Sequence, residues 1–274
     1  VGNALERDRM IHAGIVDTIE STVLSGTMCQ KLWQNMWLDP IIKIIPAGNE
    51  KIGDFKKHVS PSHLMPEDIL PGAKSIISYF IPFHESIPNS NIEGENASIE
   101  WAGAYVKTNK LITIIADNIE AFMGEHGYKS GKLPATHNYN KEDLISNWSH
   151  RHIAYLAGIG TFGRNNMFIT ESGCCGRLGS IIIDYEFSEY EQVEEPRERC
   201  ISKSGKTCDI CISRCMVGAY SAGAGGNYTF DRHKCHEQCL KNGELYEKLG
   251  AADVCGKCVV GLPCSTGEPA RATK

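Results

Sequence analysis

Nine of the chain's twelve cysteines fall between Cys200 and Cys264, and their spacing limits what this last quarter can be. The order is Cys200, then Cys208-x2-Cys211-x3-Cys215, then Cys235 and Cys239, then Cys255-x2-Cys258-x5-Cys264. The segment is rich in Lys, Asp, Gly and Ser, a composition that does not bury nine thiols as ordinary core. Structural zinc also uses paired C-x2-C, but its pairs usually lie closer along the chain than Cys211 and Cys255 do. Disulfides suit exported proteins, whereas this chain shows no secretory apolar region and is far above the size of small disulfide scaffolds. Iron–sulfur runs of this kind lend their fourth cysteine to the neighbouring cluster. Cross-pairing then gives one [4Fe–4S] set on Cys200, Cys208, Cys211 and Cys264, and a second on Cys215, Cys235, Cys255 and Cys258. Cys239 is left as a spare thiol, because a helix after Cys235 would carry it one turn away, roughly 5 Å. A chain that holds two such clusters moves electrons.

The pattern departs from the common ferredoxin run. Gly205 stands where the first cysteine is usual, so Cys200 must reach in from further out. Met216 replaces the proline that normally follows the fourth cysteine, while Ala219 keeps the small residue beyond it.

At 274 residues there is room for one α/β core beside the cysteine-rich module. The net charge is −5, and no Lys/Arg-rich run appears. No broad phosphate-binding face is advertised, so nucleic acid is not expected as a partner. No apolar stretch is long enough to span a bilayer, and no membrane association is expected. Twelve cysteines without an export signal point to a reducing cytoplasm. Val1 stands where an initiator Met would, which leaves open a trimmed N-terminus.

Ile11, Ile15 and Ile19 share one helical face in the opening stretch. Ile41 to Ile45 reads as a strand closed by Pro46, and Ser75 to Ile81 as a buried strand ended by Pro82. Asn89 to Ser98 is polar and loop-like. Ala102, Val106, Ile112, Ile115, Ile119 and Phe122 predict a long amphipathic helix from Ile99 to Met123, stopped by Gly124. Another helix is expected from Leu144 to Ala157, then strands over Met167–Thr170 and Ser180–Asp184. Glu189 to Glu198 reads as a solvated linker, giving a core over 1–190 and a cluster module over 191–274.

Gly158-Ile-Gly160-Thr-Phe-Gly163 has the glycine spacing of a dinucleotide fingerprint. That fingerprint requires a strand before the glycines and a helix after them. Here the order is reversed, so Gly158 reads as a helix cap and the other glycines as places of close backbone approach.

The stretch from Arg151 through Ala157-Gly158-Ile159-Gly160 to Gly163-Arg164-Asn165 resembles the "R-x-x-A-x-x-A-G-L-G-x-x-G-K-N" segment of the epoxyqueuosine reductases. Leu70-Pro71-Gly72-Ala73-Lys74-Ser75-Ile76-Ile77 resembles that family's "L-P-G-A-K-S-V-I", and the paired cysteine motif follows in the family's order. The likeness covers roughly residues 65 to 265, and the reductive dehalogenases are related to the same family. The resemblance implies an α/β (α+β) nitroreductase-like core that binds a corrinoid, cobalamin, beside a dicluster ferredoxin-like module. Gly158, Gly160, Phe162, Gly163, Arg164 and Asn165 are then the implied cofactor-binding positions. Electrons would pass from cluster to cluster to cobalt, supplied by a low-potential donor such as ferredoxin or flavodoxin.

The family's epoxide-opening acid is the Asp of an Asp-Tyr-His triplet, which falls here on Ala104-Tyr105-Val106. Ala104 carries no proton; Tyr105 is either a catalytic proton donor, as the related dehalogenases suggest, or an aromatic on the helix's core face. The chain also stops soon after the second cysteine motif, where longer family members continue into a helical-repeat domain that helps hold tRNA. These departures favour reduction of a small molecule, or of the corrinoid itself, over epoxyqueuosine in tRNA. An electron-transfer or corrinoid-reactivating protein without its own substrate, and an FMN-dependent reductase on the same fold, are the alternatives. Cys29 reads as core, Cys174-Cys175 as turn thiols, and His150 and His152 either as surface histidines or as corrinoid contacts.

Overall fold

The computed structural model describes residues 2–28, 36–134, 139–193, 196–223 and 228–269. In chain order come α1 (Gly2–Met28), β1 (Ile41–Pro46), α2 (Phe55–His58), α3 (Pro66–Ile69) and β2 (Ser75–Pro82). They are followed by α4 (Ser86–Ser90), α5 (Ile99–Glu125), β3 (Ser130–Gly131) and α6 (His150–Leu156). Then come β4 (Gly160–Phe162), β5 (Phe168–Thr170), β6 (Gly176–Ile183), α7 (Ile210–Ser213), β7 (Tyr220–Ala222), β8 (Tyr228–Phe230) and α8 (Arg232–Leu245).

Two compact units are built from interleaved stretches. The first takes Val1–Ile81, Asn109–Ile159 and Arg177–Pro196; the second takes Pro82–Thr108, Gly160–Gly176 and Arg197–Lys274. The cysteine-rich tail is thus grouped with two earlier segments that a single cut at residue 190 would have left in the core.

The first unit carries a four-stranded sheet in the order β1-β2-β6-β3. β1 pairs antiparallel with β2, from Ile41 opposite Phe80 to Pro46 opposite Ser75. Every residue of β2 is buried, which explains its unbroken apolar run, whereas β1 is the half-buried edge and ends on a residue with no N–H to donate. Ile11, Ile15 and Ile19 of α1 are fully buried, as their four-residue spacing requires. Gly14 lets α1 lie close to α5: a Cβ there would come within 2.1 Å of the Phe122 ring.

Three boundaries differ from the sequence expectation. The helix expected from Leu144 begins only at His150, capped by Ser149. Asn140 and Asp143 instead accept hydrogen bonds from the backbone two residues on, an alternative to helix that these side chains favour, and Leu144 takes a φ of +54°. α5 runs through Gly124 to Glu125, and the left-handed residue that ends it is Gly127, at φ +81°. β6 begins at Gly176, before the expected Ser180.

The second unit contains two hairpins, β4–β5 and β7–β8, with α7 and α8 around the cysteines. Its apolar centre includes Ala102, Tyr105, Val106 and Ala252, with Tyr246, Leu249 and Val254 packed against them.

Tyr79 of β2 is fully buried against Gly179 of β6, where an added Cβ would lie 2.3 Å from the ring. Among the described residues, the Tyr79 hydroxyl has no hydrogen-bond partner. Gly179→Ala should therefore destabilise by about 1–3 kcal/mol through overpacking. Tyr79→Phe should leave stability unchanged or raise it, since it removes an unsatisfied buried hydroxyl. Chemical denaturation of both variants checks the pair, and a strongly destabilised Tyr79→Phe would contradict this packing.

Candidate metal centres

The first set of thiols converges. Cys200, Cys208, Cys211 and Cys264 line one small cavity, with Gly163, Arg164 and Asn165 of the β4–β5 turn on its wall. Burial, with the Cys264, Cys200 and Cys208 thiols beside it, pushes Cys211 up to about 11. Cys208 and Cys211 straddle the start of α7. Cys200 is brought in from outside the usual spacing by Glu198, whose carboxylate accepts from the Cys200 N–H at 2.8 Å and from the Thr161 hydroxyl at 3.2 Å. Gly205 then turns the chain back at φ +88°, a conformation open to glycine. Glu198, at the end of the expected linker, is exposed and is also tied to the cysteine site through these two hydrogen bonds.

The second set also gathers. Burial and the neighbouring Cys235, Cys255 and Cys215 thiols raise Cys258 to about 12. Cys239 is not carried away as expected: residues four apart on α8 share a face, and its thiol is hydrogen-bonded to Cys235. That contact holds Cys239 up and Cys235 down.

The loop bearing Cys255 and Cys258 is irregular, so its carbonyls require donors from elsewhere. Three buried asparagines supply them. Asn242 donates to Val254 O at 2.8 Å, Asn91 to Cys255 O at 2.9 Å and Asn165 to Cys258 O at 2.7 Å. Gly256, at φ +75°, lets Trp101 close on the loop, since a Cβ there would lie 2.3 Å from the indole. Sequence reading missed Asn91, Asn242 and the buried Lys257; the one signal was a basic residue immediately before Cys215 and before Cys258.

The other candidates have local partners. Gly158, at φ +72°, caps α6: its N–H donates to Tyr155 O and that of Ile159 to Ala154 O. Gly160 admits β5, because a Cβ would sit 2.2 Å from Ile169 O, and Phe162 packs edge-on against Phe168. The close approach expected at these glycines is thus made by the chain's own strand. Ala104 is fully buried in α5, and Tyr105 lies in the apolar cluster with Ala252. Cys174 and Cys175 are buried, donate their N–H groups to Cys264 and Ser265 carbonyls, and Cys174 is hydrogen-bonded to the Cys264 thiol. Cys29 lies outside the described residues. Among those residues, no helix is long and apolar enough to cross a membrane.

No family model matches the chain. It is 28% identical over 185 residues to the epoxyqueuosine reductase of Bacillus cereus, a match covering 66% of this chain and 43% of that protein. A crystal structure of an epoxyqueuosine reductase with an epoxyqueuosine-modified tRNA-Tyr stem loop aligns over 93% of this chain and 67% of its own, at TM-score 0.53 and 16% identity. A catabolic reductive dehalogenase in complex with 3-bromo-4-hydroxybenzoic acid aligns over 84% of this chain and 30% of its own, at TM-score 0.55 and 15% identity. The likeness to epoxyqueuosine reductases read from the motifs is therefore matched in sequence, and the fold is shared with them and with a reductive dehalogenase. The chain spans less than half the length of the curated relative it matches.

His150 and His152 sit in networks of the first unit. The Ser180 hydroxyl accepts from the Trp148 indole and bonds His150 Nδ1 at 2.8 Å, and His152 Nδ1 bonds Ser149 Oγ at 2.7 Å. Burial lowers both to about 4, helped at His150 by Arg177 and at His152 by Arg151. The unfolded chain takes up these protons near its ordinary value of about 6.5, while the folded chain refuses them until about 4. Stability should hold above pH 6.5 and fall as pH drops towards 4. Melts across that window should show a shallower fall for His152→Asn than for the parent; an equal slope would exclude His152 as a contributor.

Proposed function

We propose that this protein is an oxidoreductase that carries electrons on two [4Fe–4S] clusters, one on Cys200, Cys208, Cys211 and Cys264 and the other on Cys215, Cys235, Cys255 and Cys258. The observation that carries the reading is the convergence of the first four thiols, remote in sequence, on one cavity. The donor sets fit: each holds four thiols, the ligation four-iron clusters use. Zinc, at about 2.3 Å from each sulfur, would draw four thiolates onto a single point. Among the described residues no group of three or more His, Cys, Asp or Glu side chains is placed to hold a single ion. When bound, such clusters accept and release single electrons. The chain's part is to exclude water, fix the thiolates and supply hydrogen bonds, as the Ala219 N–H does to Cys215 Sγ at 3.2 Å.

Anaerobically prepared protein should contain about eight iron and eight sulfide per chain, with about half lost in Cys211→Ser and in Cys258→Ser. Cys200→Ala should lose cluster signal in paramagnetic resonance while Cys239→Ala keeps it. The reverse result would assign the ligand role to Cys239, and stoichiometric zinc without sulfide would end the two-cluster reading.

The acceptor beyond the clusters is, on the resemblance, a corrinoid, with FMN as the alternative. The six residues that the resemblance implies for it cap a helix, close a hairpin or line the first cysteine cavity. Reconstitution with hydroxocobalamin and with FMN, followed by desalting and absorbance, decides which is retained. The substrate is proposed to be a small molecule and not epoxyqueuosine in tRNA, because Ala104 offers only a buried methyl group at the register of the family's acid. General acid catalysis contributes about 10²–10⁴-fold, so turnover without it should be very slow. Loaded protein incubated with epoxyqueuosine tRNA and titanium(III) citrate should yield no queuosine by mass spectrometry. Robust conversion would overturn this and direct attention to Glu100, one turn earlier on α5.

A further inference from the structure

Lys257 lies between two cysteines of the second set, Cys255 and Cys258, yet is 1% exposed. Its Nζ donates to Asn91 O at 2.9 Å and to Glu93 O at 2.7 Å. Arg214, immediately before Cys215, donates from Nη2 to Ile92 O at 2.7 Å and from Nε to Lys257 O at 3.2 Å. Two cations, each one residue ahead of a second-set cysteine, therefore hold three successive carbonyls of one loop. Glu93, whose carboxylate acts on Lys257, is exposed to water.

The first set is surrounded differently. Arg164 on its cavity wall is paired with Asp209 at 3.2 Å, and Arg199 is paired with Glu268. Lys203 and Lys206, in the turn between Cys200 and Cys208, are exposed to solvent. Arg164 and Arg199 near the first set thus meet carboxylates, while Lys257 and Arg214 at the second meet backbone carbonyls; Lys234, ahead of Cys235, is exposed.

We infer that Lys257 and Arg214 set the direction of electron flow by holding the second cluster at a higher reduction potential than the first. The inference rests on the two-cluster reading. A cluster gains one negative charge on reduction, and a buried cation favours that form more strongly than a hydrated or paired one does. Net charge and hydrogen bonding are among the factors that set such potentials. One electron leaves the first cluster, which is oxidised, and enters the second, which is reduced; the low-potential donor refills the first.

A structural pin alone would also account for the contacts of Lys257, so the test separates charge from shape. Glutamine keeps N–H donors for the Asn91 and Glu93 carbonyls and removes the charge. In the two-cluster protein, resonance-monitored redox titration reads each midpoint, with signals assigned through Cys211→Ser and Cys258→Ser. Lys257→Gln should make the second midpoint more negative, moving the electron about tenfold towards the first cluster, or about 59 mV for one electron. The first midpoint should stay, Lys257→Arg should restore the second, and Arg214→Gln should move it in the same direction as Lys257→Gln. Unmoved second midpoints in both glutamine variants, with iron content intact, would overturn the inference. Should Lys257→Gln fail to assemble, the shift or its absence in Arg214→Gln decides alone. Parent protein without iron and sulfide would instead overturn the two-cluster reading, and this inference with it.

Discussion

Three side-chain amides hold the cysteine loop from Val254 to Cys258, and the placing of the second set of thiols depends on them. A loop without ladder hydrogen bonds presents carbonyls that cannot be buried unanswered. Asn91, Asn165 and Asn242 answer Val254, Cys255 and Cys258 from three separate stretches of chain. Each has a second commitment. Asn91 Oδ1 receives the Ser98 N–H, Asn165 Oδ1 that of Met167 and Asn242 Oδ1 that of Ala97. Asn91 and Asn165 are therefore fixed in orientation by their own segments, and Asn242 by the segment that leads into α5. Leaving one such carbonyl unmatched costs about 1–3 kcal/mol, enough to loosen an irregular loop.

What was legible in the sequence was periodic or counted. The four-residue spacing of Ile11, Ile15 and Ile19 marked a helix face, the apolar run of β2 marked a buried strand, and the cysteine intervals picked out four thiols that the fold brings to one recess. The reversed order around Gly158 also read correctly, because a helix cap and a dinucleotide turn require opposite elements on their flanks. The rest was hidden by residues whose role depends on a distant partner. Asparagine in a polar stretch signals a loop, and nothing local says that its amide will answer a carbonyl elsewhere. The helix expected from Leu144 failed for a related reason: Asn140 and Asp143 satisfy nearby backbone and remove the gain from helix.

The departures from the ferredoxin pattern have physical compensations. With glycine at 205, the reach from Cys200 is made by a left-handed turn and a carboxylate that grips the Cys200 N–H. The small residue kept at Ala219 lets the backbone approach Cys215 closely enough to donate to its sulfur. Cys174 and Cys175 join the same region through Cys264 and Ser265, so a pair that looked incidental in sequence braces the strand of chain carrying the last cysteine.

Interleaving has a consequence for synthesis. Asn91 and its partner Cys255 are 164 residues apart, and the stretch from Pro82 to Thr108 belongs to the cysteine unit although it is made long before the tail. Contacts this remote form late, after the entropy of closing a long loop has been met. Until Gly256 has been made, the Trp101 indole lacks the loop that covers it in the folded chain. A chain whose cysteine loop is still unmade exposes aromatic surface, the state in which chaperones engage their clients.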